Sequence, residues 1–183
     1  MRHRWTPRGG FGLANGLTAL RLLVIASLPL WPWADGVALP VLAALGFLLL
    51  LGDGLDGWVA RQRGESSPFG AFLDKETDAF FLLMLCLLVV DLQGYTMALV
   101  LVGLLRYLFA IALYLGDPPA GSEPRSPAAR YLYVTMMVVL LTAFLPIPVL
   151  PPLLIGLVGV TLAASFVPYF RWALAGSSLH VTS

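Results

Sequence analysis

The sequence has too few charged side chains to cover a water-facing surface. Asp, Glu, Lys and Arg make up 11 % of the 183 residues, whereas soluble globular domains have roughly 25 %. Hydrophobic residues make up 59 %, and the mean hydropathy is +0.87. The length is that of a single domain, residues 1–183, and the composition indicates that a lipid bilayer is its natural solvent.

The chain also lacks the residues that would point to several other classes of protein. Its one cysteine, Cys86, lies in an apolar run. It has no partner for an intramolecular disulfide or for a cysteine-ligated metal site, so we expect it to pack in the core or against lipid. The net charge of +1 gives no electrostatic reason to expect nucleic acid as a partner.

Long apolar segments dominate the chain instead. A helix needs about 20 apolar residues to cross a bilayer, and six segments have this character. They run approximately over Ala14–Trp33, Leu39–Arg61, Pro68–Val90, Tyr95–Leu115, Ala128–Leu145 and Leu150–Trp172. Because Trp31-Pro32-Trp33 is a poor cleavage context, we expect the first segment to be a retained helix and not a signal peptide. The sequence thus predicts an all-α membrane protein with six transmembrane helices.

The positions of the arginines predict the orientation of these helices. Lys and Arg in connecting segments favour the cytoplasm. In a six-span arrangement, one side carries Asp35 and Asp91 and no Lys or Arg. The arginines of the other side are Arg2, Arg4, Arg8, Arg61, Arg63, Arg125, Arg130 and Arg171. Both termini are therefore predicted to be cytoplasmic.

Four aspartates lie within the second and third predicted spans, where a charge is costly and is a candidate for function. Asp53 and Asp56 are three residues apart, and Asp74 and Asp78 are four apart, so each pair shares a helix face. The short connector predicts that the two helices are antiparallel neighbours. Each pair then lies within roughly 15 Å of the same helix ends. We therefore expect the four carboxylates to meet in one cluster that is open to the cytoplasmic side.

Four carboxylates in a low-dielectric pocket repel one another unless a cation neutralises them. Oxygen ligands suit Mg²⁺, Mn²⁺ or Ca²⁺ better than zinc, and four of them could hold two ions of the kind that serves phosphoryl transfer. The cluster would also fit a membrane cation transporter, since intramembrane aspartates can form an ion pathway. Against that alternative, all four residues fall in the cytoplasmic half, and the chain has no internal repeat.

The same segment resembles the signature of the CDP-alcohol phosphotransferase family, D-x-x-D-G-x-x-A-R-x8-G-x3-D-x3-D. Every spacing is intact, and the matching residues are Asp53, Asp56, Gly57, Ala60, Arg61, Gly70, Asp74 and Asp78. Near the start of the chain, Asn15, Thr18 and Arg21 resemble the Asn-x-x-Thr-x-x-Arg of many bacterial members.

The resemblance implies a metal-dependent membrane enzyme of phospholipid synthesis. Such an enzyme moves a phosphatidyl group from a CDP-alcohol, here CDP-diacylglycerol, to an acceptor hydroxyl and releases CMP. The chain resembles bacterial phosphatidylglycerophosphate synthases within this family, which suggests glycerol 3-phosphate as acceptor. The implied fold is six helices around a polar cavity open to the cytoplasm, usually as a homodimer, in the bacterial inner membrane.

The resemblance also assigns roles to individual residues. The ligands of Mg²⁺ or Mn²⁺, with two ions expected, would be Asp53, Asp56, Asp74 and Asp78, and Asp78 would also act as the general base. The residues bordering the CDP moiety would be Gly57, Ala60, Arg61 and Gly70. The candidates for the cavity or the acceptor are Asn15, Thr18, Arg21, Arg106 and Arg130. For Arg106, pairing with a nearby carboxylate is an equally good interpretation. Lys75-Glu76-Thr77 departs from the apolar or proline-containing stretch of the common phosphatidylglycerophosphate synthases.

Overall fold

A computed structural model of the chain describes residues 6–7, 9–33, 38–116, 127–147 and 150–174. Within these ranges the regular structure is entirely helical. The helices are α1 (Leu13–Ser27), α2 (Ala38–Arg63), α3 (Pro68–Gln93), α4 (Ala98–Leu115), α5 (Pro127–Thr142) and α6 (Leu150–Leu174), and a short 3₁₀ turn (Leu28–Leu30) follows α1. They correspond one to one to the six predicted segments.

Four stretches of these helices are long and apolar enough to cross a membrane. They are Leu13–Leu30, Ala38–Gln62, Ala98–Leu115 and Pro151–Leu174. Helix α5 holds a shorter apolar stretch, Arg130–Thr142, and α3 carries the acidic residues of the predicted cluster. The described residues thus form an all-α protein of membrane character, while six crossings stay a prediction. The residues Arg2, Arg4, Arg8, Asp35 and Arg125, which helped to predict the orientation, lie outside the described residues.

Helix α1 lies between α2 and α3 and packs against both of them. Direct packing of α2 against α3 is slight by comparison, so the prediction that these two helices are direct neighbours was wrong. The connector, residues 64–67, brings only the ends of the two helices together. The reason lies in α1, whose polar residues Asn15, Thr18 and Arg21 recur every three positions and share one face. That face is buried and brings partners for the aspartates of both flanking helices.

Local sequence explains where α3 begins and ends. The Ser67 hydroxyl accepts a hydrogen bond from the Gly70 amide at 3.0 Å, and Pro68 stands in the first turn, which are favoured N-terminal features of helices. At the other end, Gly94 adopts a left-handed conformation with φ 69°, which closes the helix. The apolar core gathers around the later part of α3, where Cys86 is fully buried as predicted. The aspartates therefore lie toward the opposite end of the bundle.

Candidate functional site

One arginine from α1 lies at the centre of the four aspartates. Its Nη1 atom is 2.8 Å from Oδ1 of Asp53 and 3.3 Å from Oδ2 of Asp56. Its Nη2 atom is 3.1 Å from Oδ1 of Asp74 and 3.0 Å from Oδ1 of Asp78. This residue is Arg21, and its side chain is only 6 % exposed. The carboxylates that the sequence predicted to meet are thus brought together around a guanidinium, which balances one of their four negative charges.

Two other polar residues of α1 lie beside this arginine on the same helix face. The Thr18 hydroxyl donates a hydrogen bond to Oδ2 of Asp56 at 2.9 Å. One turn earlier, the Asn15 amide donates to the Phe11 carbonyl at 2.6 Å. Both side chains are buried, although polar groups rarely are in an apolar bundle unless they have partners. The α1 face is therefore part of the site and not only a structural strut beside it.

Asp56 is the most enclosed of the four carboxylates. Its side chain is 5 % exposed, against 31 % for Asp53, 40 % for Asp74 and 31 % for Asp78. Both of its oxygens accept hydrogen bonds, Oδ1 from the Gly57 amide at 2.7 Å and Oδ2 from Thr18. Asp56 is therefore fixed in orientation, while the other three carboxylates are open on one side.

Three of the carboxylates are close enough to share a cation. One oxygen each from Asp53, Asp56 and Asp74 lies within 4.8 Å of the other two, and carboxylate oxygens are the ligands that Mg²⁺, Mn²⁺ and Ca²⁺ prefer. Asp78 is not part of that set of three and joins the cluster through Arg21. The Tyr133 hydroxyl of α5 donates a hydrogen bond to the backbone carbonyl of Asp78 at 2.8 Å.

A cavity of about 200 Å³ adjoins the cluster. It lies between the start of α1, the end of α2 and the start of α3, and Asp56 and Asp74 are in its wall. All four residues expected to border a nucleotide line it: Gly57, Ala60, Arg61 and Gly70. Asn15 and Thr18 line it as well. Six of the eight signature residues, all but Asp53 and Asp78, therefore border one connected space.

Glu65 in the α2–α3 connector is a site residue that the sequence analysis missed. Its Oε2 accepts a hydrogen bond from the Ala14 amide at 3.1 Å, and its Oε1 accepts one from Nε of Arg63 at 2.8 Å. The bond from Arg63 and then the Ala14 amide hold the pKa of Glu65 below its usual range. Glu65 lines the cavity and fastens the connector to the first turn of α1, where an acidic group is favoured. The sequence feature that could have indicated this role is a single acidic residue in a connector of only residues 64–67.

The two candidate acceptor residues on later helices are not among the residues that line the cavity. Nη2 of Arg106 pairs with Oε1 of Glu76 at 2.6 Å, and its guanidinium lies 6.0 Å from the ring centre of Phe109. The interpretation of Arg106 as partner of a nearby carboxylate is thus the one that the contacts favour. Arg130 lies exposed on α5.

Comparison with known proteins gives the chain its relatives. It is 42 % identical over 66 residues to an Arabidopsis thaliana protein named CDP-diacylglycerol–inositol 3-phosphatidyltransferase 1, which is 36 % of this chain and 28 % of the relative. It is 47 % identical over 53 residues to an archaetidylinositol phosphate synthase of Aeropyrum pernix, which is 29 % of this chain and 26 % of the relative. The matched stretches thus span little more than a quarter of either relative's length.

No solved structure matches the chain. The profile of the CDP-alcohol phosphatidyltransferase family matches residues 11–175. That range includes α1 to α6 and every residue of the aspartate cluster and the cavity. The chain therefore belongs to the CDP-alcohol phosphatidyltransferase family.

Proposed function

We propose that the chain transfers a phosphatidyl group from a CDP-alcohol, CDP-diacylglycerol in the first instance, to the hydroxyl of a small acceptor and releases CMP. The observation that carries the proposal is the continuity of the aspartate cluster with the cavity lined by Gly57, Ala60, Arg61 and Gly70. A cation pathway would need polar groups through the full depth of the bilayer, whereas this cavity lies at one end of α1, α2 and α3. A phosphoryl-transfer site requires such a cavity, because the nucleotide must lie next to the reacting phosphorus.

The cavity suits part of a nucleotide-linked lipid. Pockets that enclose drug-sized ligands measure roughly 300–1,000 Å³, so a cavity of about 200 Å³ would hold only a portion of the donor. Gly57 and Gly70 present backbone without side chains to this portion. Arg61 carries a planar fork of donors suited to phosphate oxygens. The acyl chains would remain in the bilayer, beside the apolar exposed surface of the helices.

Asp53, Asp56 and Asp74 would hold the divalent ion, which we propose to be Mg²⁺ or Mn²⁺, and we propose that Asp78 serves a second ion. The fit rests on the three oxygens within 4.8 Å of one another and on a donor set made only of carboxylates. When bound, the ion supplies positive charge that neutralises the diphosphate.

In the proposed reaction, Asp78 takes the proton of the acceptor hydroxyl. The acceptor oxygen forms a bond to the phosphorus that bears the lipid alcohol. The bond from this phosphorus to the oxygen bridging it to the CMP phosphate breaks, and its electron pair leaves with CMP. The Tyr133 hydroxyl donates a hydrogen bond to the Asp78 backbone carbonyl and so positions the backbone from which the Asp78 side chain extends. The protein therefore contributes orientation as well as charge.

The relatives bear on the acceptor. Both of the relatives described above have names that refer to inositol lipids, so we propose inositol or an inositol phosphate as the acceptor ahead of glycerol 3-phosphate. We further propose that the site opens to the cytoplasm of a bacterial inner membrane, as the arginine distribution predicts, and that the chain works as a homodimer.

The test uses protein purified in detergent with CDP-diacylglycerol, Mg²⁺ or Mn²⁺, and a panel of inositol, inositol phosphate, glycerol 3-phosphate, serine and choline. We expect CMP release with one acceptor and its loss on adding EDTA. If no acceptor supports CMP release, and neither CMP nor CDP-diacylglycerol binds the folded protein, the proposed transferase activity is wrong.

Asp78→Asn tests the proposed base. It keeps the size of the side chain and one acceptor oxygen but cannot take the proton, so turnover should fall by at least about 100-fold. Binding of CMP and the melting temperature should change little by comparison. Turnover near that of the unaltered protein would exclude Asp78 as the base.

A further inference from the structure

We propose that Arg21 is a built-in counter-cation of the aspartate cluster, which a divalent ion must displace from shared carboxylate oxygens when it binds. The inference rests on the metal site of the proposed function, but it concerns a residue that competes with the ion instead of holding it. It predicts that removing the arginine strengthens metal binding, which is the opposite of the effect expected for a residue that merely supports the site.

The geometry makes Arg21 and the ion rivals for the same three carboxylates. Arg21 pairs with Asp53, Asp56 and Asp74 at 2.8, 3.3 and 3.1 Å, and these are the three residues whose oxygens lie close enough to bind one cation. Its fourth pair, with Asp78, uses Nη2. Both terminal nitrogens are thus committed to the cluster, and the side chain is 6 % exposed.

Asp56 brings Arg21 and the ion into competition at a carboxylate whose two oxygens already accept hydrogen bonds. Its Oδ1 accepts the Gly57 amide and its Oδ2 accepts the Thr18 hydroxyl, with Arg21 at 3.3 Å from the same Oδ2. A cation that takes Asp56 as a ligand must therefore share one of its oxygens with a donor already bound there, or replace that donor. The least costly exchange is with Arg21, because the guanidinium and the ion carry like charges and would repel each other a few ångströms apart.

Arg21 also has a function in the protein before the ion binds. Four carboxylates held together without a positive charge would repel one another or take up protons. The guanidinium removes part of that cost and lets the site fold in advance, and the same attraction opposes the ion. The arginine thereby lowers the affinity for metal and makes the folded state less dependent on it, since a ligand that binds more weakly stabilises a fold less.

The experiment measures Mn²⁺ binding to the full chain in detergent after treatment with EDTA, using the electron paramagnetic resonance signal of free Mn²⁺. We expect Arg21→Gln to bind Mn²⁺ at least about tenfold more tightly than the unaltered protein. In EDTA, the melting temperature of Arg21→Gln should lie below that of the unaltered protein. Adding Mn²⁺ should raise it by more than it raises the melting temperature of the unaltered protein. Arg21→Lys keeps the charge and should lie closer to the unaltered protein in both measurements.

Arg171→Gln is the matched control. It removes one positive charge from the exposed end of α6, a helix that contributes nothing to the cluster, and should leave Mn²⁺ affinity unchanged. Equal or weaker binding by Arg21→Gln overturns the proposal. If the unaltered protein and the variants all fail to bind Mn²⁺, the metal site of the proposed function fails with it. Binding that appears only in Arg21→Gln supports the proposal strongly.

A measurement on the unaltered protein covers the case in which Arg21→Gln does not fold. The rate at which phenylglyoxal modifies Arg21 can be followed by mass spectrometry with and without Mn²⁺. Release from the carboxylates should make the guanidinium more reactive, so we expect a faster rate with Mn²⁺. An unchanged or slower rate overturns the displacement.

Discussion

Gly70→Ala tests whether the close approach of α3 to α1 is needed for both the fold and the activity. A Cβ at Gly70 would lie 2.8 Å from Oδ1 of Asn15 and 3.3 Å from Oγ of Ser67. Ordinary contact begins near 3.4 Å, so Asn15 would have to move by roughly 0.6 Å, and its amide is already held by the Phe11 carbonyl at 2.6 Å. Overpacking of this kind costs about 1–3 kcal/mol.

The loss should be visible in two assays. For a chain of this length, about 1–3 kcal/mol corresponds to a melting temperature lower by roughly 2–12 °C, measured in detergent by circular dichroism. Because Asn15 and Gly70 both line the cavity, a displacement there should also lower kcat/KM for CMP release by about tenfold or more.

Two further variants separate the clash from other effects. Gly16→Ala, on α1 beside Asn15, places its Cβ in open space and should leave the melting temperature unchanged or slightly raised, since Ala favours helix. Combining Asn15→Ala with Gly70→Ala removes the clashing oxygen, so the double variant should be more stable than the sum of the single changes predicts. If Gly70→Ala behaves like Gly16→Ala in both assays, the reasoning about this contact is wrong.

Two other changes test the packing and the connector. Gly103→Ala would place a Cβ 2.8 Å from Cα of Leu83, a backbone atom that moves only if α3 and α4 separate. We therefore expect the free energy of unfolding to fall by about 1–3 kcal/mol, which a lower melting temperature would show. An unchanged melting temperature would contradict the tight contact. The lowered pKa of Glu65 means that its bonds to Arg63 and Ala14 contribute stability in full above the pKa of unfolded Glu, and that this contribution is lost as pH falls through the lower folded pKa. When pH is lowered from about 7 to about 3, the melting temperature of Glu65→Gln should therefore fall less than that of the unaltered protein. Equal decreases in melting temperature would contradict the role of the charge.

The helices and the pairing of the aspartates on single helix faces could be predicted because both follow from local pattern. Apolar runs broken by Pro and Gly place helix ends within a few residues, as with Pro68 at the start of α3. Spacings of three and four residues place Asp53 with Asp56 and Asp74 with Asp78 on single faces, whatever the tertiary arrangement is. The signature added the residues around the cavity.

The arrangement of the first three helices could not be predicted in the same way. A short connector fixes the distance between two helix ends but not between the helices along their length, so α1 could lie between α2 and α3. For the same reason, no local pattern indicated that Arg21 faces all four aspartates. The pairing of Arg106 with Glu76 joins residues 30 positions apart, which no local spacing indicates.

The position of α1 between the two aspartate-bearing helices has a consequence for transplanting this site into another protein. The eight signature residues lie in α2 and α3 alone, yet Thr18 and Arg21 on α1 hold the carboxylates of both. A helical hairpin that carried only the signature would present four mutually repelling acids with no organising partner. The smallest unit that keeps the Thr18 and Arg21 contacts is therefore the first three helices, residues 13–93. A designer who moved it would also have to replace the hydrogen bond that Tyr133 of α5 donates to the Asp78 carbonyl.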